Sequence, residues 1–167
     1  MCMRHIVLIA HNLRSCHNVG ALLRTAEGLG VQKVILSGYT PHPAHDKDRR
    51  LPHEAAKITR QINKTALGAE RFVHWEHHKD ILAVLAKLKK DGYAITAVEQ
   101  AEDAQDITTY YPPKKIVLLV GREVEGVEAE ILAACDIVLE IPMYGHKESF
   151  NVAQAAAMAM YHCQFFD

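Results

Sequence analysis

The sequence predicts an α/β fold, a mostly parallel sheet with helices on both faces, and three observations carry that expectation. Short apolar runs rich in valine and isoleucine punctuate the chain. Helical patterns lie between several of them. Most of the runs are continuous rather than alternating, as strands covered on both faces require. A chain of 167 residues suits one domain, spanning 1–167, and buries a core without disulfide or metal staples.

In chain order, strands are expected at Ile6–Ala10, Val34–Ser37, Phe72–Trp75, Ala94–Val98, Ile116–Val120 and Ile137–Ile141. A helix over Val19–Leu29 places Leu22, Leu23, Ala26 and Leu29 on one face. A second over Asp80–Lys90 aligns Ile81, Leu82, Leu85 and Leu88, with Asp80 as N-cap. Glu128–Ala134 reads as a short helix. Asn151–Phe165 reads as the last one, capped by Asn151 or Ser149. The longest irregular stretch runs from Gly38 to Leu51 and carries Lys47, Arg49 and Arg50, with Lys57, Arg60 and Lys64 close behind. A loop of that length is functional or disordered.

Composition narrows the function classes. No apolar run approaches the length of a membrane span, and Ile6–Ala10 is too short for a secretory signal. Cys2, Cys16, Cys135 and Cys163 form no Cys-x-x-Cys pair, so inert thiols in a reducing cytoplasm are expected. Net charge is −1 with histidine neutral, which is not the strong basic balance of many nucleic-acid binders. A local basic face or a symmetric dimer can still concentrate charge that the sum hides. His42-x-x-His45-Asp46, His74 and His77-His78 invite a metal reading. No third ligand stands at suitable spacing, so no metal is expected.

Three segments carry chemistry. Asn18-Val19-Gly20 opens the first helix, with Arg24 among its apolar residues. A charge there needs a partner, and Glu123 is a candidate for a structural ion pair. The strand ending at Val120 runs into Gly121-Arg122-Glu123-Val124-Glu125-Gly126. In open parallel sheets, ligands sit at that carboxyl end. The pattern is neither a dinucleotide fingerprint nor a P-loop. Finally, Ile141-Pro142-Met143-Tyr144-Gly145 leads through Ser149-Phe150-Asn151-Val152 into an alanine-rich helix. Free N–H groups at its start suit a polar ligand.

In order and approximate spacing, Asn-x-Gly-(x)₃-Arg, Gly-x-Glu-x-x-Gly and Ile-Pro-Met-x-Gly-x-x-x-Ser-x-Asn-Val together resemble the SPOUT superfamily. The match is to its SpoU/TrmH branch of RNA 2′-O-ribose methyltransferases and covers nearly the whole chain. Lys64-Thr65-Ala66-Leu67-Gly68-Ala69-Glu70 resembles a small subgroup with the catalytic domain alone. The resemblance implies a Rossmann-like sheet whose C-terminal segment is threaded into a deep trefoil knot. It implies S-adenosylmethionine held at Thr96, Ala97 and Val98, at Val120 and Gly121, and at Ile141, Met143, Ser149 and Phe150. It implies a homodimer in which Arg24 reaches the partner's site. The RNA is expected to be tRNA rather than rRNA.

Residue roles follow from the same resemblance. Arg24 activates the ribose hydroxyl. A guanidinium is a poor base, so stabilising a forming alkoxide or clamping a phosphate fits its chemistry better. Asn18 orients Arg24 or the ribose. Glu123 holds Arg24 or shapes its loop. Ser149 and Asn151 fix the last loop and the substrate. Phe150 stands where leucine is usual, and Arg122 adds a positive charge suited to an RNA phosphate. Base-nitrogen methylation and a catalytically silent RNA-binding dimer are the alternatives.

Overall fold

The protein is described by a computed structural model covering residues 4–166; Cys2 and the extreme ends of the expected 1–167 domain lie outside them. Among these residues the strands are β1 (His5–His11), β2 (Lys33–Ser37), β3 (Trp75–His78), β4 (Ala94–Val98), β5 (Gln105–Asp106), β6 (Lys115–Val120) and β7 (Ile137–Glu140). They form one sheet in the order β3-β2-β1-β6-β4-β7-β5. Every pairing is parallel. The helices are α1 (Cys16–Gly28), α2 (Pro52–Ala66), α3 (Ile81–Lys90), α4 (Ala129–Ala134) and α5 (Val152–Phe165). None is long and apolar enough to cross a membrane.

Alternation along the strands splits the core into two layers. Ile6, Leu8, Val34, Leu36, Ile116 and Leu118 face α1, α2 and α5. Val7, Ile9, Ile35, Ile95, Val117 and Leu119 face α3 and α4. Both faces are therefore covered, which is why the strands read as unbroken apolar runs. The Ser15 hydroxyl caps α1 by accepting from Asn18 N–H. Asp80 caps α3 and Asn151 caps α5 in the same way. Along α5, Ala156, Ala159, Met160 and Cys163 are fully buried, so small residues let it lie close to the sheet.

One expectation needs correction. The third strand is Trp75–His78, not Phe72–Trp75. Ala69–Arg71 is a 3₁₀ turn, and Phe72 after it is 80% exposed. The strand itself is a half-buried edge, and an edge needs no apolar run. Helix α2 and the two-residue β5 gave no readable pattern. Cys16, Cys135 and Cys163 are free, and burial pushes the Cys135 thiol up to about 11 and the Cys163 thiol up to about 12. Those two are poor nucleophiles at neutral pH.

Candidate active site

Because every strand is parallel, all the carboxyl ends emerge on one edge of the sheet. At that edge β4, β6 and β7 release three loops around a cavity of about 270 Å³. Val98, Glu99 and Gln100 form one wall, residues 120–126 a second, and Ile141 with Glu148, Ser149, Phe150, Val152 and Ala155 the third. The 120–126 loop closes on itself: Arg122 N–H donates to Gly126 O and Gly126 N–H to Arg122 O, each at 3.1 Å. A Cβ on Gly121 would lie 2.6 Å from the Gly126 carbonyl carbon, so no larger residue fits there.

Glu123 turns from this loop to the start of α1. Its carboxylate accepts from Ser15 N–H at 3.0 Å, Arg14 N–H at 3.2 Å and Asn18 Nδ2 at 3.2 Å. An anion is favoured at the N-terminus of a helix. Burial pushes this carboxyl up, but the backbone N–H groups and Asn18 hold it below its ordinary value. Asn151 Nδ2 donates to Asn18 Oδ1 at 3.2 Å. Asn151, Asn18 and Glu123 thus form one hydrogen-bonded chain from α5 through α1 to the 120–126 loop.

Arg24 is not part of that chain. It is exposed and makes no ion pair or hydrogen bond among the described residues. Glu123 is engaged by α1's N-terminal groups instead, so the candidate Arg24–Glu123 pair does not form within one subunit. Of the residues expected to hold a cofactor, Val98, Val120, Gly121, Ile141, Ser149 and Phe150 line the cavity; Thr96, Ala97 and Met143 do not. Thr96 and Ala97 are buried inside the sheet, paired with β6 and β7, and only the end of β4 reaches the edge.

The structure adds residues that the motifs did not single out. Glu99 follows β4, lines the cavity and accepts from Val127 N–H at 3.0 Å. Its place just past a parallel strand was the signal available. Glu128 accepts from Asn12 Nδ2 at 2.9 Å and pairs with Arg122 at 3.3 Å. Arg122 thus lines the cavity with one end of its guanidinium paired to Glu128. His11 lies beside Glu128 at 3.6 Å and its Nδ1 contacts Ser37 Oγ at 2.8 Å. Burial lowers the His11 pKa against the pull of Glu128.

The histidine reading changes too. A third potential ligand does approach His42 and His45, with ligand atoms mutually within 4.8 Å, but it is Asp48 rather than Asp46. Arg50 brings it there. Its guanidinium binds Asp48 by Nε at 2.9 Å and reaches His42 Nδ1 at 3.2 Å. A cation already sits against both groups.

A model of the SpoU rRNA Methylase family matches residues 5–161. The tRNA (guanosine(18)-2′-O)-methyltransferase of Thermus thermophilus is 29% identical over 159 residues, covering 95% of this chain and 74% of that protein. A TrmH-family protein of Staphylococcus haemolyticus is 28% identical over 155 residues, 93% of this chain. The chain spans only 56% of that relative's length. The crystal structure of an AdoMet-bound rRNA methyltransferase from Sinorhizobium meliloti superposes with a TM-score of 0.80 at 20% identity, over 96% of this chain and 56% of that one. That likeness establishes a common fold. The matched span includes the Asn18–Arg24 segment, the Gly121–Gly126 loop and the Ser149–Asn151 cap, and the chain belongs to the SpoU rRNA methylase family.

Proposed function

We propose that this chain is an S-adenosylmethionine-dependent RNA methyltransferase acting on a ribose 2′-hydroxyl of tRNA, as one catalytic domain working in a homodimer. The observation that carries the reading is the cavity that the loops after β4, β6 and β7 build together. Val98, Val120, Ile141 and Phe150 give it apolar walls for a purine, and Glu99 and Ser149 give it polar ends. That donor set fits the cofactor. The chain passes from β6 to β7 across the intervening β4, which supports the knotted threading the resemblance implies. The Thermus relative is named for 2′-O-methylation of a tRNA guanosine.

S-adenosylmethionine supplies a methyl group on a sulfonium, so the protein's task is to orient the hydroxyl, ease loss of its proton and exclude water. Arg24 would stabilise the forming alkoxide or clamp a neighbouring phosphate. A free, exposed guanidinium in one subunit supports its use by the other. Tyr161 and Phe165 of α5 are 62% and 44% exposed, and such apolar surface supports a paired helix. Asn18, Glu123 and Asn151 would keep the cavity loop and the start of α1 in register. With labelled cofactor and total tRNA and rRNA, Arg24→Ala is expected to abolish transfer while cofactor affinity by calorimetry stays close to wild type. Near-normal turnover overturns the Arg24 role. RNA binding by the wild type with no transfer would favour the silent dimer, and label on a base would favour nitrogen methylation.

A further inference from the structure

We propose that a basic groove at the carboxyl ends of β2 and β3 binds the sugar-phosphate backbone of the same RNA, a few nucleotides from the methylated ribose. The inference rests on the methyltransferase reading and adds a second contact surface to it. The 38–51 loop leaves β2, and Lys79 follows β3, so both emerge on the edge that carries the cavity. Strand β3 lies three places from β6 and four from β4. At about 4.8 Å per strand, the groove and the cavity are roughly 14–19 Å apart. A single strand crosses that distance in a few nucleotides.

The charge of the groove is one-sided once its internal pairs are removed. Asp48 is held by Arg50. Glu76 is held by Lys33 at 2.8 Å, His78 at 2.9 Å and His74 at 3.1 Å. Burial pushes the Glu76 carboxyl up, but these three donors bring it down to about 2, so it stays charged and engaged. Lys47, Arg49, Lys79 and Lys87 also line the groove. All four are exposed, and none is in an ion pair among the described residues. A chain of net charge −1 therefore presents a local cluster of four cations. That is the footprint of a polyanion.

The cluster is also held in place. Arg50 Nη1 donates to His42 O at 3.0 Å, and Ala44 N–H donates to Thr59 Oγ1 on α2 at 2.8 Å. A loop fixed before binding loses little freedom on binding. Beside the cations, exposed His45 lies 6.2 Å from the half-buried Trp75 ring, and buried His42 backs both, 4.2 Å from half-buried His77. Aromatic surface next to a basic groove is the combination that accepts single-stranded nucleic acid.

The test is the triple variant Lys47→Glu/Arg49→Glu/Lys79→Glu, with fluorescently labelled total tRNA as probe. RNA affinity is expected to fall at least about tenfold near 0.1 M salt, and the log–log salt slope to shrink by about 2. Cofactor affinity should not move. The milder Lys47→Gln/Arg49→Gln/Lys79→Gln variant should shift both quantities the same way and guards against a folding defect. Lys114 precedes β6 at the opposite edge of the sheet, so Lys114→Glu should weaken RNA binding less than Lys79→Glu alone. Unchanged affinity and slope in both triple variants, with wild-type protein binding and methylating RNA, overturn the groove but leave the methyltransferase reading standing. A wild type that neither binds nor methylates RNA overturns both.

Discussion

Glu123 joins two parts of the chain that the sequence keeps far apart. It sits at the tip of the loop after β6, yet its three hydrogen-bond donors belong to the start of α1. Glu123→Ala leaves the Arg14 and Ser15 N–H groups to water and releases one wall of the cavity. Because the site is partly open, water offsets part of the loss, and a destabilisation of about 1–2 kcal/mol is expected. Cofactor affinity should drop with it, and Glu123→Gln should be milder because the amide oxygen still accepts. A melt and a calorimetric titration check both; unchanged affinity would mean the loop is held by Glu99 and the Arg122–Gly126 pair alone. The Gly-x-Glu pattern was legible as a site because glycine at a strand end lets a ligand approach. The partner of Glu123 was not legible, and Arg24 was the wrong candidate within one subunit. Asn12, Glu99 and Glu128 escaped for the same reason: a lone polar residue at a strand or helix end carries no period, and only the fold brings these groups together.

Helices α1 and α2 meet at Gly20, and that contact fixes the spacing of the layer above the sheet. A Cβ there would lie 2.2 Å from Ile62 O and 2.1 Å from Thr65 Oγ1. Thr65 Oγ1 also donates to His17 O at 2.8 Å, tying the two helices together. Gly20→Ala gains helix propensity of about 1 kcal/mol. The clash is with a backbone carbonyl that cannot rotate away, so overpacking of about 1–3 kcal/mol or more should outweigh it. The expected result is a lower melting temperature; a higher one would mean that the helices part without cost. The partner helix of this contact was the least legible element. Helices α1, α3 and α5 show apolar residues at helical spacing because one face of each is deeply buried. Only Ala55, Ile62 and Ala66 are buried along α2, among charged residues, so no stripe appears. The edge strands β3 and β5 were obscured likewise, since a strand with one neighbour and half-exposed sides needs no apolar alternation. The central strands, covered on both faces, were read almost to the residue.

Acid should loosen the whole molecule in two separable stages, because its buried histidines and its paired carboxylates titrate in different windows. Burial lowers the His42 pKa from an ordinary 6.5 to about 4, and lowers those of His11 and His77 in the same direction. The unfolded chain then binds protons near pH 6.5 that the folded chain refuses. By linkage, stability is complete above that pH and falls as pH drops from about 6.5 toward 4. For His42 alone the loss is on the order of 3 kcal/mol. Glu123, Glu128 and Glu76 have carboxyls held below their ordinary 4.5. Their contribution is present above that value and is lost as pH falls through the folded pKa values, so the second stage lies in stronger acid. Denaturant unfolding between pH 8 and 4 should therefore show a slope that begins above the carboxylate range. His42→Asn should reduce that slope while leaving the loss below pH 4.5 in place. A wild-type stability flat from pH 7 to 4.5 would mean that these imidazoles take up protons in the folded state, and that the His42–Trp75–His77 cluster is open to water.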